Sequence, residues 1–335
     1  MVDQGALQLT LDWDGLQIVA ARIASTRPLA AQLLLGQPAG KAVALVPRLF
    51  SLCGKAQGAA ARLALGAARG EQAGEAALQD SARAVALEAI GEHLWRLLLD
   101  WPPMCGQAVR KDEFLGWRNR LQAVSSQAEA ATLGAGLLAW LAEQTLPTTM
   151  QENTQTVGRL LPWIGAAQWA RQWIDEDFSL RPAFDGQPAE TGVLARRRDD
   201  TAVAALYSAG QGVAARLAAR YADLRFLAAS LLEPQGLAGW LEAAPVDENI
   251  GLARVETARG LLLHLMQIKE GRVDRYIIVA PTEWNFHPQG AFTSEIVGCP
   301  ASTRNEAEVA ARRLALALDP CVACEIVVNK AAENA

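Results

Sequence analysis

The segment Asp319-Pro320-Cys321-Val322-Ala323-Cys324 sets two thiols three residues apart, directly after a stretch, Glu306 to Leu318, whose apolar residues recur at helical spacing. Asn305 offers an N-cap for that helix, and Asp319-Pro320 ends it because proline has no amide to donate. The two sulfurs therefore sit on a turn, close enough to share one metal ion. Spacing alone leaves a second reading open, two buried thiols filling a core. A zinc ribbon or knuckle needs a second pair, and elsewhere the chain offers Cys53, Cys105 and Cys299 with three histidines, His93, His264 and His287.

Working back from this segment, residues 251 to 257, 261 to 269 and 273 to 280 have strand character, with Glu270-Gly271 as a hairpin turn. Before the change of pattern at Pro234 and Gly236, helical periodicity covers about 199 to 233, 152 to 176 and 110 to 145. Another helix spans Glu75 to Asp100 and stops at Trp101-Pro102-Pro103; one more spans Pro47 to Gly70, with Cys53 in its first turns. Trp95, Trp101, Trp163, Trp169 and Trp173 are expected to pack this bundle. Residues 7 to 24 alternate around Asp14-Gly15 and predict an opening β-hairpin. The fold class is α+β, predominantly helical. We expect one domain over 1–335, with a hairpin (1–27), a helix bundle (46–233) and a β/α part (250–335) that completes the site.

A formal charge of -5 without long basic runs excludes an electrostatic nucleic-acid binder. Arg196-Arg197-Arg198, followed at once by Asp199-Asp200, reads as a solvated turn. Hydrophobic residues at 51% and charged residues at 20% mark a folded chain. No secretory signal opens it and no apolar run is long enough for a bilayer, so a cytoplasmic location with reduced thiols is expected.

Five segments, in order, resemble nickel–iron hydrogenase large subunits. Asp319 to Cys324 resembles that family's DPCxxC, and Arg48-Leu49-Phe50-Ser51-Leu52-Cys53 its RxCxxC. Glu190 to Arg196 resembles ExGPLAR; Glu256-Thr257-Ala258-Arg259-Gly260-Leu261 is similar to EAPRGxL; Pro281-Thr282-Glu283-Trp284-Asn285 resembles PTxWN. The resemblance implies a hydrogenase-large-subunit-like helix bundle with small peripheral antiparallel sheets. It also implies that Cys53 and Cys324 match the cysteines bridging nickel and iron, while Cys321 matches a ligand of nickel alone. Arg259 and Thr282 match the residues beside the iron's cyanide ligands, Ala258 and Pro281 would wall the carbonyl, and His264 and Glu256 would stand behind them.

The departures shape the functional expectation. Phe50 stands where the family has its first cysteine, Gln57 replaces a histidine, and Val327 replaces the histidine three residues after the last cysteine. Neither a magnesium-site histidine nor a cleavable tail is expected. This combination most resembles the HupK/HoxV group of hydrogenase-like accessory proteins. It implies a non-enzymatic maturation scaffold that transiently holds an Fe(CN)2(CO) fragment, with no nickel expected. Its expected partners are a small hydrogenase-assembly chaperone of the iron-carrier type and the apo large subunit, with no nucleic acid or membrane. The alternatives are a degenerate hydrogenase with residual nickel-dependent activity and a metal-free protein that binds maturation chaperones. Cys105 and Cys299 are read as ordinary thiols, and His93 as a packed or exposed side chain.

Overall fold

The computed structural model describes residues 5–26, 30–145 and 158–331. Alternation at the start becomes strands β1 (Ala6–Trp13) and β2 (Ile18–Ser25), paired antiparallel. Asp14 makes the turn, its Oδ1 accepting from the amides of Leu16 (2.8 Å) and Gln17 (2.9 Å). Two helices follow where one was expected. Helix α1 (Ala39–Leu49) contains Pro47, breaks at Phe50 and gives way to a 3₁₀ turn at Ser51–Cys53; α2 (Gly54–Ala68) starts afresh. Cys53 thus occupies the joint. The new helix start is capped from a distance, since the Glu88 carboxylate accepts from the amides of Lys55 (2.7 Å) and Ala56 (3.0 Å).

Helix α3 (Glu75–Trp95) also departs from expectation, because Trp101-Pro102-Pro103 does not end it. The chain passes through a π-helical turn at Arg96–Asp100 into α4 (Trp101–Met104), whose first turn takes the prolines. The Leu98 carbonyl, whose α-helical donor would be the amide Pro102 lacks, accepts instead from Arg110 N at 2.9 Å. Helices α5 (Lys111–Ala123) and α6 (Gln127–Ala142) divide at a capping box of Ser126 and Glu129. Of the helix expected over 152 to 176, residues 152–157 lie outside the described ones. The rest is mainly irregular, apart from short α7 (Ala166–Trp169), with α8 (Glu176–Leu180) beginning at its far end. Pro162 and Gly165 interrupt it, and Leu161 N bonds to Glu190 O at 2.7 Å instead of within a helix. After α9 (Val193–Arg197), α10 (Thr201–Ser208) and α11 (Gly212–Leu232) split at Gly210.

Strands β3 (Leu241–Asp247), β4 (Ile250–Thr257), β5 (Gly260–Lys269) and β6 (Arg272–Val279) form an antiparallel sheet in that order, β3 being unanticipated. Helix α2 crosses this sheet so closely that a Cβ on Gly251 of β4 would stand 2.2 Å from Ala64 O. Short helices α12 (Pro281–Asn285) and α13 (Ala291–Ile296) lead to α14 (Arg304–Leu318), capped by Thr303, two residues before the expected Asn305. Its end is Asp319, at φ +55. A last strand, β7 (Ala323–Lys330), joins β1 in parallel and sets Cys324 opposite Leu7.

Trp101 and Trp169 are buried, whereas Trp95, Trp163 and Trp173 are 44%, 64% and 79% exposed, so helical spacing overstated the tryptophan core. Trp163 and Trp173 belong to the irregular stretch, where no helix turns them inward. Among the described residues no helix is long and apolar enough to cross a membrane.

Candidate thiolate site

The site is assembled at the turn from β4 to β5. Thr257 Oγ1 accepts from Arg259 N at 3.1 Å and Gly260 N at 3.2 Å, closing a tight loop that projects Arg259. This loop lies directly on the segment of Thr191 and Gly192. Gly260 has φ +130 and a Cβ there would meet Thr191 Cγ2 at 2.5 Å; Gly192 has φ +109 and its Cβ would meet Arg259 O at 2.7 Å. Only glycine fits both places. Asn285 locks the crossing: its Oδ1 accepts from Thr191 N (2.9 Å), and its Nδ2 donates to Arg259 O (3.3 Å) and Leu318 O (3.2 Å). One carboxamide therefore ties together four of the segments singled out in the sequence.

Thr282, in the first turn of α12, donates from Oγ1 to Cys321 Sγ at 3.1 Å and accepts from Cys321 N at 3.2 Å. Cys321 is also the common electrostatic neighbour of the other two thiols, raising the pKa of both Cys53 and Cys324. Burial is the larger cause, pushing Cys53 up to about 12 and Cys324 up to about 11. Arg259 opposes the shift at Cys53, and Arg96 at Cys324. Electrostatically, Cys321 is thus coupled to both other thiols, and Arg259 to Cys53 and Cys321. Among the described residues no three His, Cys, Asp or Glu side chains already stand as a ready-made ligand set.

Behind Cys53 runs a buried relay. Gln57 Nε2 donates to Cys53 Sγ at 3.7 Å, Gln57 Oε1 lies 2.9 Å from His264 Nε2, and His264 Nδ1 lies 2.8 Å from the Tyr276 hydroxyl. Burial without a charged partner depresses the His264 pKa to about 3, so the ring is neutral. Its neutral Nε2–H is the donor that the Gln57 carbonyl requires, leaving the Gln57 amide turned toward sulfur.

Arg259 is buried and bound to Glu92 at 2.6 Å, with Asp319 at 3.4 Å from its Nε. Asp319 also receives Arg96 (2.7 Å) and Arg220 (2.9 Å), and the three guanidinium groups hold its carboxyl well below the usual range despite burial. Ala258 and Pro281 are buried. Glu256 lies further off, paired with Arg254 and with Arg196 at 2.8 Å; from Arg196 a chain of contacts runs through Asp223, His93 and Arg220 to Asp319. Arg196 and Arg197 are consequently not a solvated turn. Both grip buried Asp223 at 2.8 Å, and in this run it is Arg198, 3.9 Å from Asp199, that keeps a surface character.

The family model for nickel-dependent hydrogenases matches residues 235–327. The hydrogenase expression/formation protein HupK of Rhizobium leguminosarum bv. viciae is 32% identical over 342 residues, covering 90% of each chain. HoxV of Cupriavidus necator, bearing the same description, is 32% identical over 357 residues, covering 90% of this chain and 91% of that one. The chain belongs to the HupK/HoxV family of hydrogenase expression/formation proteins. Among solved structures, this HupK/HoxV-family chain is similar to the Ni-Fe-Se hydrogenase of D. vulgaris Hildenborough in its as-isolated oxidized state. The TM-score is 0.66 at 14% identity, over 92% of this chain and 95% of that chain. A reduced, active form of the enzyme from Desulfomicrobium baculatum gives 0.67 at 13% identity, over 93% and 95%. Those similarities establish the fold.

Glu92, Arg96 and Asp319 are the site residues of this HupK/HoxV-family chain that sequence reading passed over. Asp319 ends a helix and opens the DPCxxC-like segment, and neither feature signals the guanidinium groups it holds. Glu88, Glu92 and Arg96 recur at i, i+4 and i+8 along one helix face, a signal that was present in the sequence.

Proposed function

We propose that this chain is a hydrogenase-maturation protein, not an enzyme, that holds an Fe(CN)2(CO) fragment as cargo and passes it toward the apo large subunit of a nickel–iron hydrogenase. The observation carrying this reading is the grouping of the Cys321 sulfur with the Thr282 hydroxyl, the Arg259 guanidinium and the two other thiols. Thiolates are the soft donors that low-valent iron prefers, and Cys53, Cys321 and Cys324 would supply them. The nitrogen ends of cyanide ligands carry negative charge and seek a buried cation and a hydroxyl, the roles given to Arg259 and Thr282. Ala258 and Pro281 offer the apolar contact that suits a carbonyl ligand.

Phe50, in place of a further thiolate, leaves a sulfur set sized for iron rather than for nickel. His264 acts through Gln57 on the orientation of Cys53. Glu256 holds Arg196 in the supporting charge network. The fragment would come from a small iron-carrier chaperone in the cytoplasm.

The test is to co-produce the chain with the hydrogenase maturation machinery, then measure iron, nickel and the infrared bands of bound cyanide and carbon monoxide. Iron with both ligand bands in the wild type, and their loss in Cys53→Ser, Cys321→Ser and Cys324→Ser, is the expected result. Wild-type protein free of iron and bands while the carrier is loaded would overturn it. Stoichiometric nickel would instead identify a degenerate hydrogenase. Unimpaired hydrogenase maturation in the Cys53→Ser/Cys324→Ser double variant would identify a metal-free partner of the chaperones.

A further inference from the structure

A half-open cavity of about 270 Å³ lies between the irregular segment around Trp163, helix α9 and strands β4 and β5. Its walls carry four guanidinium groups, Arg196, Arg197, Arg198 and Arg254, against two carboxylates, Glu256 and Asp199. Counting Asp223, which Arg196 and Arg197 share from behind, positive charge still prevails. Three of the arginines are laid against rings: Arg254 stands 5.3 Å from the centre of Trp163, Arg196 5.3 Å from Trp240 and Arg197 3.8 Å from Phe226. A guanidinium held by its face keeps its edge N–H groups for an oxygen pair, the geometry that suits a carboxylate or a phosphate.

The donors are not all used. Arg254 is 1% exposed and gives its terminal nitrogens to Gly239 O and Glu256, yet its Nε has no hydrogen-bond partner among the described residues. Arg197 gives Nε to Asp223 at 2.8 Å, and the carboxylate facing Arg198 is 3.9 Å away on a side chain that is 95% exposed. A buried donor without an acceptor is costly, and Arg254 is one of the residues that line this cavity. Burial and repulsion from Arg196 also lower the pKa of Arg197, a strain that negative charge would relieve.

We propose that this cavity binds a small oxyanion, the carboxylate or phosphate group of a low-molecular-weight metabolite, seated on Arg197, Arg198 and Arg254. The inference uses no cysteine and stands apart from the iron fragment. Calorimetric titration of the full chain with inorganic phosphate and, separately, with succinate, at constant ionic strength in chloride, is the test. Saturable binding at one site per chain is expected for one of the two, which also tells phosphate from carboxylate chemistry. Affinity should fall at least about tenfold in Arg198→Glu, an exposed position where folding is preserved, and in Arg197→Gln. It should persist in Cys53→Ser. Absence of saturation for both anions up to ~10 mM, or equal affinity in wild type and Arg198→Glu, overturns the proposal.

Discussion

Asp223 is fully buried and holds Arg196, Arg197 and His93 at once, all at 2.8 to 2.9 Å. Its carboxyl is held well below the usual range because Arg196 and the His93 hydrogen bond outweigh burial. Asp223→Ala would strand two guanidinium groups and a ring in the core, so a loss of ~3–5 kcal/mol is expected in urea unfolding. Histidine titration gives a second prediction. The folded His264 ring stays neutral down to about pH 3, whereas the unfolded side chain takes a proton near 6.5. The unfolded state therefore binds more protons as pH falls, and His93, also depressed chiefly by burial, acts in the same direction. Stability should decline below about pH 6.5 by ~1.4 kcal/mol per pH unit from His264 alone, measured by urea midpoints. At this scale Cys321, Thr282 and Arg259 were legible because each sits in a short motif with its own chemistry. Glu92 and Gln57 were not legible as partners, since their contacts with Arg259 and His264 span 167 and 207 residues.

The β4 to β5 turn and the β5 to β6 turn form a natural pair for comparison. Gly260 has φ +130 with Thr191 Cγ2 2.5 Å from a virtual Cβ, while Gly271 has φ +73 and nothing within 4 Å. Alanine at Gly271 should cost about 1 kcal/mol of left-handed backbone strain, whereas alanine at Gly260 adds overpacking of ~1–3 kcal/mol and displaces Arg259. Thermal unfolding separates the two, and on the proposed function only Gly260→Ala should also lower iron retention. Elements with local signals were readable, as the opening hairpin and the three strands after residue 250 show. Elements governed by distant groups were not: Glu88 of α3 caps α2, and a π turn carries α3 past two prolines.

Across the whole molecule, β7 is held by β1, so the position of Cys324 depends on a strand more than 300 residues away in sequence. Leu9 lies opposite Ile326 in that pairing and is fully buried in the core beneath it. Leu9→Ala should cost ~2–5 kcal/mol and speed amide exchange in β7, read by hydrogen-exchange mass spectrometry. On the proposed function, iron retention should fall with it, because Cys324 packs against the same core. The parallel β1–β7 pairing is not legible in the sequence, because a strand that begins inside the CxxC, at Ala323, carries no mark of the strand it will join.

That closure also has a consequence in time. A nascent chain on the ribosome presents Cys53 well before Cys321 and Cys324, which emerge on the order of tens of seconds later. On the proposed reading a nascent chain would carry one of its three sulfur donors until then, so loading would wait on the pairing of β7 with β1.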